Sequence, residues 1–519
     1  MSAQEVLSRE FATLPEVLRE HGRERADHPA LMDGSRELGY GQLDAMMDRI
    51  AAALQREGVQ VGDVAAICAA TSIEYAAAFC AILRAGAAVA PLAPSSTPES
   101  LVMMLEDSGA KVLFLDKAVA AELAPVASRI RAMRVALDGS SAGQSLESWM
   151  APAGTAPEQI EATPDLPFNI IYSSGTTGAP KGIVQQNRFR WPQIRAGVYP
   201  SDAVTMISTP LYSNTTLVSF LPTLSNGGSC VLMPKFDAAR FLQLSEQYRA
   251  THAMLVPVQY RRLMAQPDFD DYDLSSYRLK FATSAPFTAE LKAEVLKRWP
   301  GGLIEFYGMT EGGGSCMLVA REFPDKLHTV GRPMPGHDIR LVGEDGKEAP
   351  QGEIGEVVGR SPAMMVGYHN QPEKTKETEW YSPEGLRYIR TGDVGRFDAE
   401  GFLTLMDRKK DMIISGGFNI YPSDLEAEIA NHPAVLESAV VGVPSERWGE
   451  TPIAFVALKP GQTIGAGELL EWVNGRLGKT QRLADLKLVG GLPRSHIGKV
   501  LKRELRDEYR NAALAAQAR

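Results

Sequence analysis

The stretch Tyr172-Ser173-Ser174-Gly175-Thr176-Thr177-Gly178-Ala179-Pro180-Lys181-Gly182 combines hydroxyl side chains, glycines and one lysine. It follows the apolar run from Phe168 to Ile171, which predicts a buried strand. Glycine lets a backbone come close to a ligand, and backbone N–H groups, hydroxyls and a lysine ammonium all bind phosphate oxygens. The stretch therefore predicts a loop that holds a polyphosphate directly after a strand.

The spacing differs from that of the common P-loop. In a P-loop the lysine follows a glycine and precedes Ser or Thr, whereas Lys181 follows Pro180 and precedes Gly182. Composition alone fits an ordinary Gly/Ser/Thr surface loop equally well. Composition and the position of the lysine therefore do not decide between a phosphate-binding loop and an ordinary surface loop.

The complete string resembles the phosphate loop of the adenylate-forming superfamily, which includes acyl-CoA synthetases, adenylation domains of peptide synthetases and luciferases. The resemblance implies that this loop binds ATP and that Thr177 has a catalytic role. The implied ATP-binding residues here are Ser173, Ser174, Gly175, Thr176, Thr177, Gly178 and Lys181.

A second segment, Tyr307-Gly308-Met309-Thr310-Glu311, resembles the adenine-and-metal motif of the same superfamily and has the expected order after the phosphate loop. The resemblance implies that Tyr307, Gly308, Met309 and Thr310 bind ATP and that Glu311 is catalytic and binds Mg²⁺. A carboxylate suits Mg²⁺, which takes a few carboxylate oxygens together with phosphates. Without the resemblance, the segment would be a strand end with an aromatic residue and an exposed acid.

Three motifs nearer the C-terminus also match the superfamily. Asp393, in Arg390-Thr391-Gly392-Asp393, is the implied ribose acceptor, and Arg408 joins it in binding ATP. The segment Asp407–Asp411 resembles the hinge, with Lys410 at the pivot. Gly416 and Gly417 fall on the strip that lines the coenzyme A tunnel, and Lys499 falls on the mobile catalytic lysine that also contacts ATP.

The acyl pocket and the adenine site show departures from the superfamily pattern. Pro210-Leu211-Tyr212 is followed by Ser213, where a histidine is frequent, and Gln186-Asn187 stands where Thr-His is frequent. The stretch usually written Ser-Gly-Ala-Ala-Pro is replaced by Ala282-Thr283-Ser284-Ala285-Pro286. We predict adenine-site residues Ser284, Ala285 and Pro286, and acyl-pocket residues Tyr212, Ser213, Tyr260, Gly312, Gly313 and Gly314.

Short strands alternate with helical patterns in the first half of the chain, as in Val64–Ala70 and Ile73–Arg84, which predicts an α/β fold with layered, mostly parallel sheets. Glycine and proline become frequent from about Val330, which predicts a small distorted β-barrel. The pattern then returns to α/β order. We predict an acid- and ATP-binding domain over 1–406, a hinge over 407–411 and a small mobile α+β domain over 412–519.

Composition excludes several other classes. A length of 519 residues indicates more than one domain, and 54 basic against 63 acidic residues argue against a general nucleic-acid-binding surface. The four cysteines form no CxxC pair, which argues against structural zinc. No apolar stretch reaches the ~18 residues of a membrane span. A charged N-terminal segment without a secretory apolar core completes the prediction of a cytoplasmic protein.

Together these motifs predict a stand-alone acyl- or aryl-CoA synthetase. It would use ATP, Mg²⁺ and coenzyme A, form an acyl-adenylate and then a thioester, and release AMP and pyrophosphate. The predicted substrate is an aromatic or medium-length aliphatic monocarboxylic acid. The resemblance also implies a protein acetyltransferase and deacetylase acting on Lys499, and we expect a monomer or homodimer. Three alternatives remain open at this point: loading of a separate carrier protein, luciferase-like oxygenation, and a non-catalytic nucleotide-binding role.

Overall fold

The computed structural model describes residues 1–173, 180–408, 411–415, 418–445, 448–478, 481–495 and 499–517. Two compact units share these residues. The first contains residues 1–327, 334–338 and 360–389, and the second contains residues 328–333, 339–359 and 390–519.

The helices and strands follow one another through the chain as the alternating sequence pattern predicts. The strands are β1 (Pro29–Met32), β2 (Glu37–Gly39), β3 (Val64–Cys68), β4 (Ala88–Pro91), β5 (Val112–Leu115), β6 (Met133–Ala136), β7 (Gln144–Ser145), β8 (Pro167–Ser173), β9 (Lys181–Gln186), β10 (Val204–Ile207), β11 (Ser229–Leu232), β12 (His252–Leu255), β13 (Leu279–Ala282), β14 (Gly302–Gly308), β15 (Ser315–Val319), β16 (Arg332–Pro333), β17 (Asp338–Val342), β18 (Gly355–Arg360), β19 (Gly367–Tyr368), β20 (Glu379–Tyr381), β21 (Arg387–Phe397), β22 (Leu403–Arg408), β23 (Ile413–Ser415), β24 (Phe418–Ile420), β25 (Val435–Ser445), β26 (Gly449–Leu458) and β27 (Asp485–Leu488). The α-helices are α1 (Ala3–Leu7), α2 (Leu14–Glu24), α3 (Tyr40–Arg56), α4 (Ile73–Arg84), α5 (Pro98–Ser108), α6 (Lys117–Leu123), α7 (Leu146–Trp149), α8 (Asn187–Ile194), α9 (Asn214–Ser225), α10 (Ala238–Gln247), α11 (Pro257–Met264), α12 (Ala289–Arg298), α13 (Pro372–Glu377), α14 (Pro422–Ala430), α15 (Ala466–Asn474) and α16 (Lys502–Gln517).

Two mostly parallel sheets form the framework of the first unit. The strands of one lie in the order β15-β14-β13-β12-β10-β11-β1-β2, and those of the other in the order β19-β9-β8-β4-β3-β5-β6-β7. Pairing is parallel from β14 through β1 and from β8 through β7, whereas β14–β15, β1–β2, β8–β9 and β9–β19 are antiparallel. Ligands of parallel sheets gather at the carboxyl ends of the strands, and β8, β13 and β14 end in predicted motifs.

Helix α4 shows why these sheets are so thoroughly buried. The helix, Ile73 to Arg84, is apolar on all sides except at Glu74 and Arg84, and every residue other than the half-buried Glu74 is buried. Ser72 caps the helix by accepting a hydrogen bond from the backbone N–H of Tyr75. Arg84 lies at the buried C-terminal end and pairs with Asp44 and Asp48, so its charge is compensated.

The second unit contains two smaller sheets. In the first, β17, β18 and β21 lie in that order and β22 pairs antiparallel with β21. In the second, the order is β24-β23-β26-β25, with β27 parallel to β26 and an apolar core that includes Ile413, Leu425 and Val456.

The predicted α/β class is confirmed, with layered sheets, a small antiparallel region and a further α+β part. Helix α4 has the predicted bounds, and β3 is two residues shorter than Val64–Ala70. The segment 407–411 belongs to the second unit, and its role as a hinge and the mobility of residues 412–519 stay predictions. Within the described ranges, no helix is long and apolar enough to cross a membrane.

Candidate active site

The predicted phosphate loop connects two paired strands. Ser173 is the last residue of β8, Lys181 is the first residue of β9, and the two lie opposite each other in the antiparallel ladder. The intervening candidates Ser174, Gly175, Thr176, Thr177 and Gly178 lie outside the described residues. The ends of the loop are therefore fixed by strand pairing beside the carboxyl end of β8.

Tyr368 brings the loop lysine and the predicted metal-binding carboxylate together. The Lys181 ammonium nitrogen lies 5.0 Å from the centroid of the Tyr368 ring, and the Tyr368 hydroxyl donates to Oε1 of Glu311 at 2.9 Å. Burial, followed by the negative charge of Glu311, raises the pKa of Tyr368 well above its usual value, so the hydroxyl keeps its proton. A cation and a carboxylate from motifs about 130 residues apart thus share one neighbour.

The segment from Tyr307 to Glu311 leaves the end of β14 and is held by hydrogen bonds on its backbone. Gln185 donates to the Thr310 carbonyl at 2.6 Å, and the backbone N–H of Met365 donates to the Glu311 carbonyl at 2.8 Å. Tyr307 and Thr310 are half-buried and Gly308 is exposed. Met309 packs against the cluster of Ile183, Met365, Tyr368 and Ile389.

The glycines after Glu311 lie in tightly packed backbone. Gly312 has a φ of +76°, and a Cβ there would lie 1.8 Å from the Ala363 carbonyl oxygen. Ser361 donates to the Gly312 carbonyl at 2.7 Å, so the segment 361–363 packs directly on this turn. Gly313 and Gly314 are buried. The sequence analysis assigned all three glycines to the acyl pocket, and at Gly312 the structure shows that glycine is required by close backbone approach.

Ser284 adopts a backbone conformation that side chains other than glycine rarely take. Its φ is +79°, and its hydroxyl lies 2.5 Å from the hydroxyl of Thr215 in the first turn of α9. It follows the carboxyl end of β13, with Ala285 half-buried and Pro286 exposed beyond it. Such conformations concentrate at functional sites, which agrees with the predicted adenine-site motif.

The predicted acyl-pocket residues fall into two environments. Ser213 caps α9 and accepts from the backbone N–H of Thr215, and the neighbouring Tyr212 is half-buried. Burial raises the pKa of Tyr212 to about 12. Tyr260 is fully buried, donates to the Phe281 carbonyl at 2.8 Å and stacks on Phe287. Tyr260 therefore has the surroundings of a core residue.

An aromatic cluster that the sequence analysis missed lies between α9 and the strands β12 to β14. Phe306 of β14 stacks on Phe281 of β13 with ring centroids 6.0 Å apart, and the ring centroid of Tyr199 also lies 5.5 Å from that of Phe281. Phe306 and Val218 of α9 are partly exposed at the margin of this cluster. Phe281 lies three residues before Ser284, so the cluster adjoins the strained motif.

The second unit contains the remaining candidates. The register of β21 and β22 places Asp393 opposite Arg408, so the backbones of the two predicted ribose-binding residues are paired. Lys499 is half-buried, and its backbone N–H donates to the Ser495 hydroxyl at 3.2 Å. Lys410, Gly416 and Gly417 lie outside the described residues.

A metal ion at this site would rely on Glu311. The described part of the chain contains no group of three His, Cys, Asp or Glu side chains that could hold a metal by itself. Mg²⁺ usually keeps water and takes one or two carboxylates together with substrate phosphates. The half-buried Glu311, which accepts a hydrogen bond from the Tyr368 hydroxyl, would supply one such carboxylate.

Comparison with known proteins agrees with this arrangement. Residues 18–369 match the model of the AMP-binding enzyme family, and residues 424–499 match that of the AMP-binding enzyme C-terminal domain. The chain belongs to the AMP-binding enzymes. It is an AMP-forming acyl-CoA synthetase, which joins a carboxylic acid to coenzyme A through an acyl-adenylate.

Three relatives illustrate the range of this AMP-binding enzyme family. The chain is 34% identical over 496 residues to feruloyl-CoA synthase from Amycolatopsis sp, with 92% of this chain and 96% of the relative covered. It is 31% identical over 522 residues to fatty acid–[acyl-carrier-protein] ligase ScoC from Streptomyces coeruleorubidus, with 96% and 97% covered. ATP-bound MatB from Rhodopseudomonas palustris is similar in structure, with a TM-score of 0.85, 32% identity and 96% and 99% of the two chains covered.

Proposed function

We propose that this synthetase activates an aromatic monocarboxylic acid. The observation that carries the proposal is the partly exposed Phe306, stacked on Phe281 beside the Ser284–Thr215 pair. An aromatic ring buried against such a surface gains both area burial and a stacked contact. The similarity to a feruloyl-CoA synthase supports the same class of acid.

In the first half-reaction, candidate lysines would interact with the negative charge on the phosphates of ATP. A carboxylate oxygen of the acid attacks the α-phosphorus of ATP, the bond to the pyrophosphate oxygen breaks, and pyrophosphate leaves. Lys181 would hold phosphate oxygens, since its ammonium is kept beside the site by the Tyr368 ring. Lys499 would offset the charge that develops at the α-phosphate, a role in which one donor contributes about 10²–10³ in rate.

We propose that Glu311 binds Mg²⁺ together with the phosphates. When bound, the ion would neutralise charge on the polyphosphate and polarise its oxygens. The contribution of the protein is to orient the carboxylate, because the Tyr368 hydroxyl donates to Oε1 of Glu311. Tyr307, Gly308, Met309 and Thr310 would form the adenine side of the same segment, with Ser284, Ala285 and Pro286.

In the second half-reaction, the coenzyme A thiolate attacks the acyl carbon and the bond to the AMP oxygen breaks, so AMP leaves. Asp393 and Arg408 would hold the ribose through both steps, which their paired backbones support. Gly416 and Gly417 would border the pantetheine arm, and the chain would pivot at Lys410 between the two steps. Acetylation of Lys499 would remove its charge and stop adenylation.

A cytoplasmic location also belongs to this proposal. Cys68, Cys80, Cys230 and Cys316 are all buried free thiols, as is typical of proteins from a reducing compartment. A monomeric or homodimeric state, and an acetyltransferase and deacetylase that act on Lys499, likewise remain proposals.

The experiment is pyrophosphate release with a panel of acids, in which benzoic, cinnamic and hydroxycinnamic acids are compared with straight-chain acids of six to ten carbons. We expect kcat/KM to be highest for an aromatic acid and Phe306→Ala to lower that preference. Leu279→Ala is the matched control, because Leu279 packs against the same cluster from the first position of β13. A preference for straight-chain acids that Phe306→Ala leaves unchanged would refute the aromatic assignment.

A carrier-protein thiol is a second candidate acceptor, favoured by the similarity to ScoC. The same assay separates the two acceptors. Thioester formation with free coenzyme A supports the main proposal, whereas acyl-adenylate that accumulates until a carrier protein is added supports the second.

A further inference from the structure

Arg190 is a fully buried cation of helix α8 that is surrounded by amide oxygens. Its guanidinium donates to Asn169 at 3.0 and 3.1 Å, to Gln193 at 2.8 Å, to Asn214 at 2.8 Å and to Gln185. Among the described residues, no carboxylate pairs with it. A buried charge is costly to desolvate, and here the oxygens of neutral amides alone compensate it. Its donors therefore hold the amide oxygens around it in place.

The guanidinium determines the orientation of the amide groups around it. Arginine offers donors and no acceptor, so each neighbouring amide must turn its oxygen toward Arg190. The oxygen of Gln185 accepts both from Arg190 and from Nδ2 of Asn169, the latter at 2.9 Å. The Nε2 group of Gln185 must therefore point away from Arg190, and it donates to the Thr310 carbonyl at 2.6 Å.

The members of this network come from several different elements of the first unit. Asn169 lies in the middle of β8, Gln185 lies in β9, and Asn214 is the first residue of α9, directly after Ser213. Thr310 immediately precedes Glu311. All three of Asn169, Gln185 and Arg190 are completely buried, so water cannot replace a lost donor without a cavity opening.

We propose that Arg190 is a positioning residue for Glu311, acting through the amide of Gln185 on the Thr310 carbonyl. The inference rests on the proposed role of Glu311 with ATP and Mg²⁺. Without Arg190, Gln185 could flip and present its oxygen to the Thr310 carbonyl, which would push the segment and its carboxylate away. Burial lowers the pKa of Arg190 to about 9, which leaves the guanidinium charged at neutral pH.

The substitution that separates positioning from stability is Gln185→Glu. A glutamate would give Arg190 a counter-charge and would still accept from Asn169, but it offers no donor to the Thr310 carbonyl. We expect the thermal midpoint to stay the same or rise, while adenylation falls at least about tenfold in kcat/KM for ATP, the factor that about 1.4 kcal/mol of barrier represents. We also expect the Mg²⁺ concentration for half-maximal rate to increase.

The experiment measures ATP–pyrophosphate exchange at varied Mg²⁺, with thermal unfolding of the same samples. The variants are Gln185→Glu and Arg190→Met, with Arg188→Met as the control, since Arg188 lies two residues away on α8, is exposed and pairs with Asp165. A folded Gln185→Glu protein with wild-type exchange and Mg²⁺ dependence would overturn the inference, even if Arg190→Met failed to fold. Activity and stability lost in proportion would also overturn it, because a purely structural role predicts that.

Different results would refute the proposed function and the positioning role of Arg190. Wild-type protein without exchange for any acid would refute the proposed function. Active wild-type protein whose Gln185→Glu variant is equally active would refute the role of Arg190 alone.

Discussion

Among the residues that the structure describes, Lys280 resembles Arg190 in having a buried charge that no carboxylate pairs with. It lies in β13 with no exposed surface, donates to the Pro300 and Trp299 carbonyls and sits 5.3 Å from the Trp299 ring centroid. Carbonyl oxygens satisfy its donors without neutralising its charge. Burial, and to a smaller extent the charge of Arg321, lowers the pKa of Lys280 from 10.5 to about 7.

The lowered pKa of Lys280 predicts a pH effect on stability. Between about pH 7 and pH 10.5 the unfolded chain binds more protons at this residue than the folded chain, so stability rises with pH in that window. For one proton, the free energy of unfolding increases by up to about 1.4 kcal/mol per pH unit. We expect Lys280→Met to make the rise in thermal midpoint between pH 7 and pH 9 shallower. Lys297→Met, on the exposed face of α12, should leave it unchanged, and equal slopes in all three proteins would contradict the assignment.

At the scale of elements, the turn between β14 and β15 is the most closely packed part of the site. Gly312 combines a positive φ with contact to the Ala363 carbonyl and the Phe189 ring, so the turn, the segment 361–365 and α8 fit together without room for one methyl group. Because Glu311 precedes Gly312, any displacement here would also move the proposed metal-binding carboxylate.

We therefore expect Gly312→Ala to be damaging for two separable reasons. The left-handed backbone costs about 1–2 kcal/mol for a residue with a Cβ, and the clash adds a further penalty. Gly336→Ala is the control, because Gly336 has a φ of +78° with open space around its would-be Cβ. The thermal midpoint and the adenylation rate should both fall much further for Gly312→Ala than for Gly336→Ala. Equal losses in the two variants would show that the close contact with Ala363 does not matter.

Local pattern predicted the elements well, because the long apolar run from Ile73 to Arg84 favours a buried helix, and α4 has the predicted bounds. The contacts that complete the site were not predictable in this way. Tyr368 meets Glu311 across 57 residues, and Arg190 meets Asn169 and Asn214 across 21 and 24 residues. No period or short motif links such positions, since sheet order and helix packing bring them together. The sequence feature that could have indicated the Arg190 network is an arginine inside an aromatic stretch, Phe189-Arg190-Trp191.

For the whole molecule, the proposed cycle depends on residues of the second unit acting at different times. Asp411, at the end of the predicted hinge, forms an ion pair with Arg506 of α16 at 2.6 Å, which ties it to that unit. A pivot would then lie before Asp411, as the predicted position of Lys410 requires. Lys499, by contrast, would act in the first half-reaction and be absent from the second.

We expect Lys499→Ala to lower acyl-adenylate formation by about 10²–10³. Started from pre-made acyl-adenylate and coenzyme A, the same variant should keep most of its thioester-forming rate. Arg503→Ala, whose exposed side chain pairs with Asp507 four residues further along α16, is the control for general effects on this region. A Lys499→Ala protein with normal adenylation would remove both the catalytic role and the proposed control by acetylation.

The chemistry itself can be followed with an isotope. An aromatic acid labelled with ¹⁸O in both carboxylate oxygens would be converted to its thioester with unlabelled ATP and coenzyme A, and the nucleotide product would be examined by mass spectrometry. The bridging oxygen of an acyl-adenylate comes from the acid and remains on phosphorus when the thiol attacks the acyl carbon. The account predicts AMP carrying one ¹⁸O atom for each thioester formed; unlabelled AMP, or ADP with labelled inorganic phosphate, would contradict it.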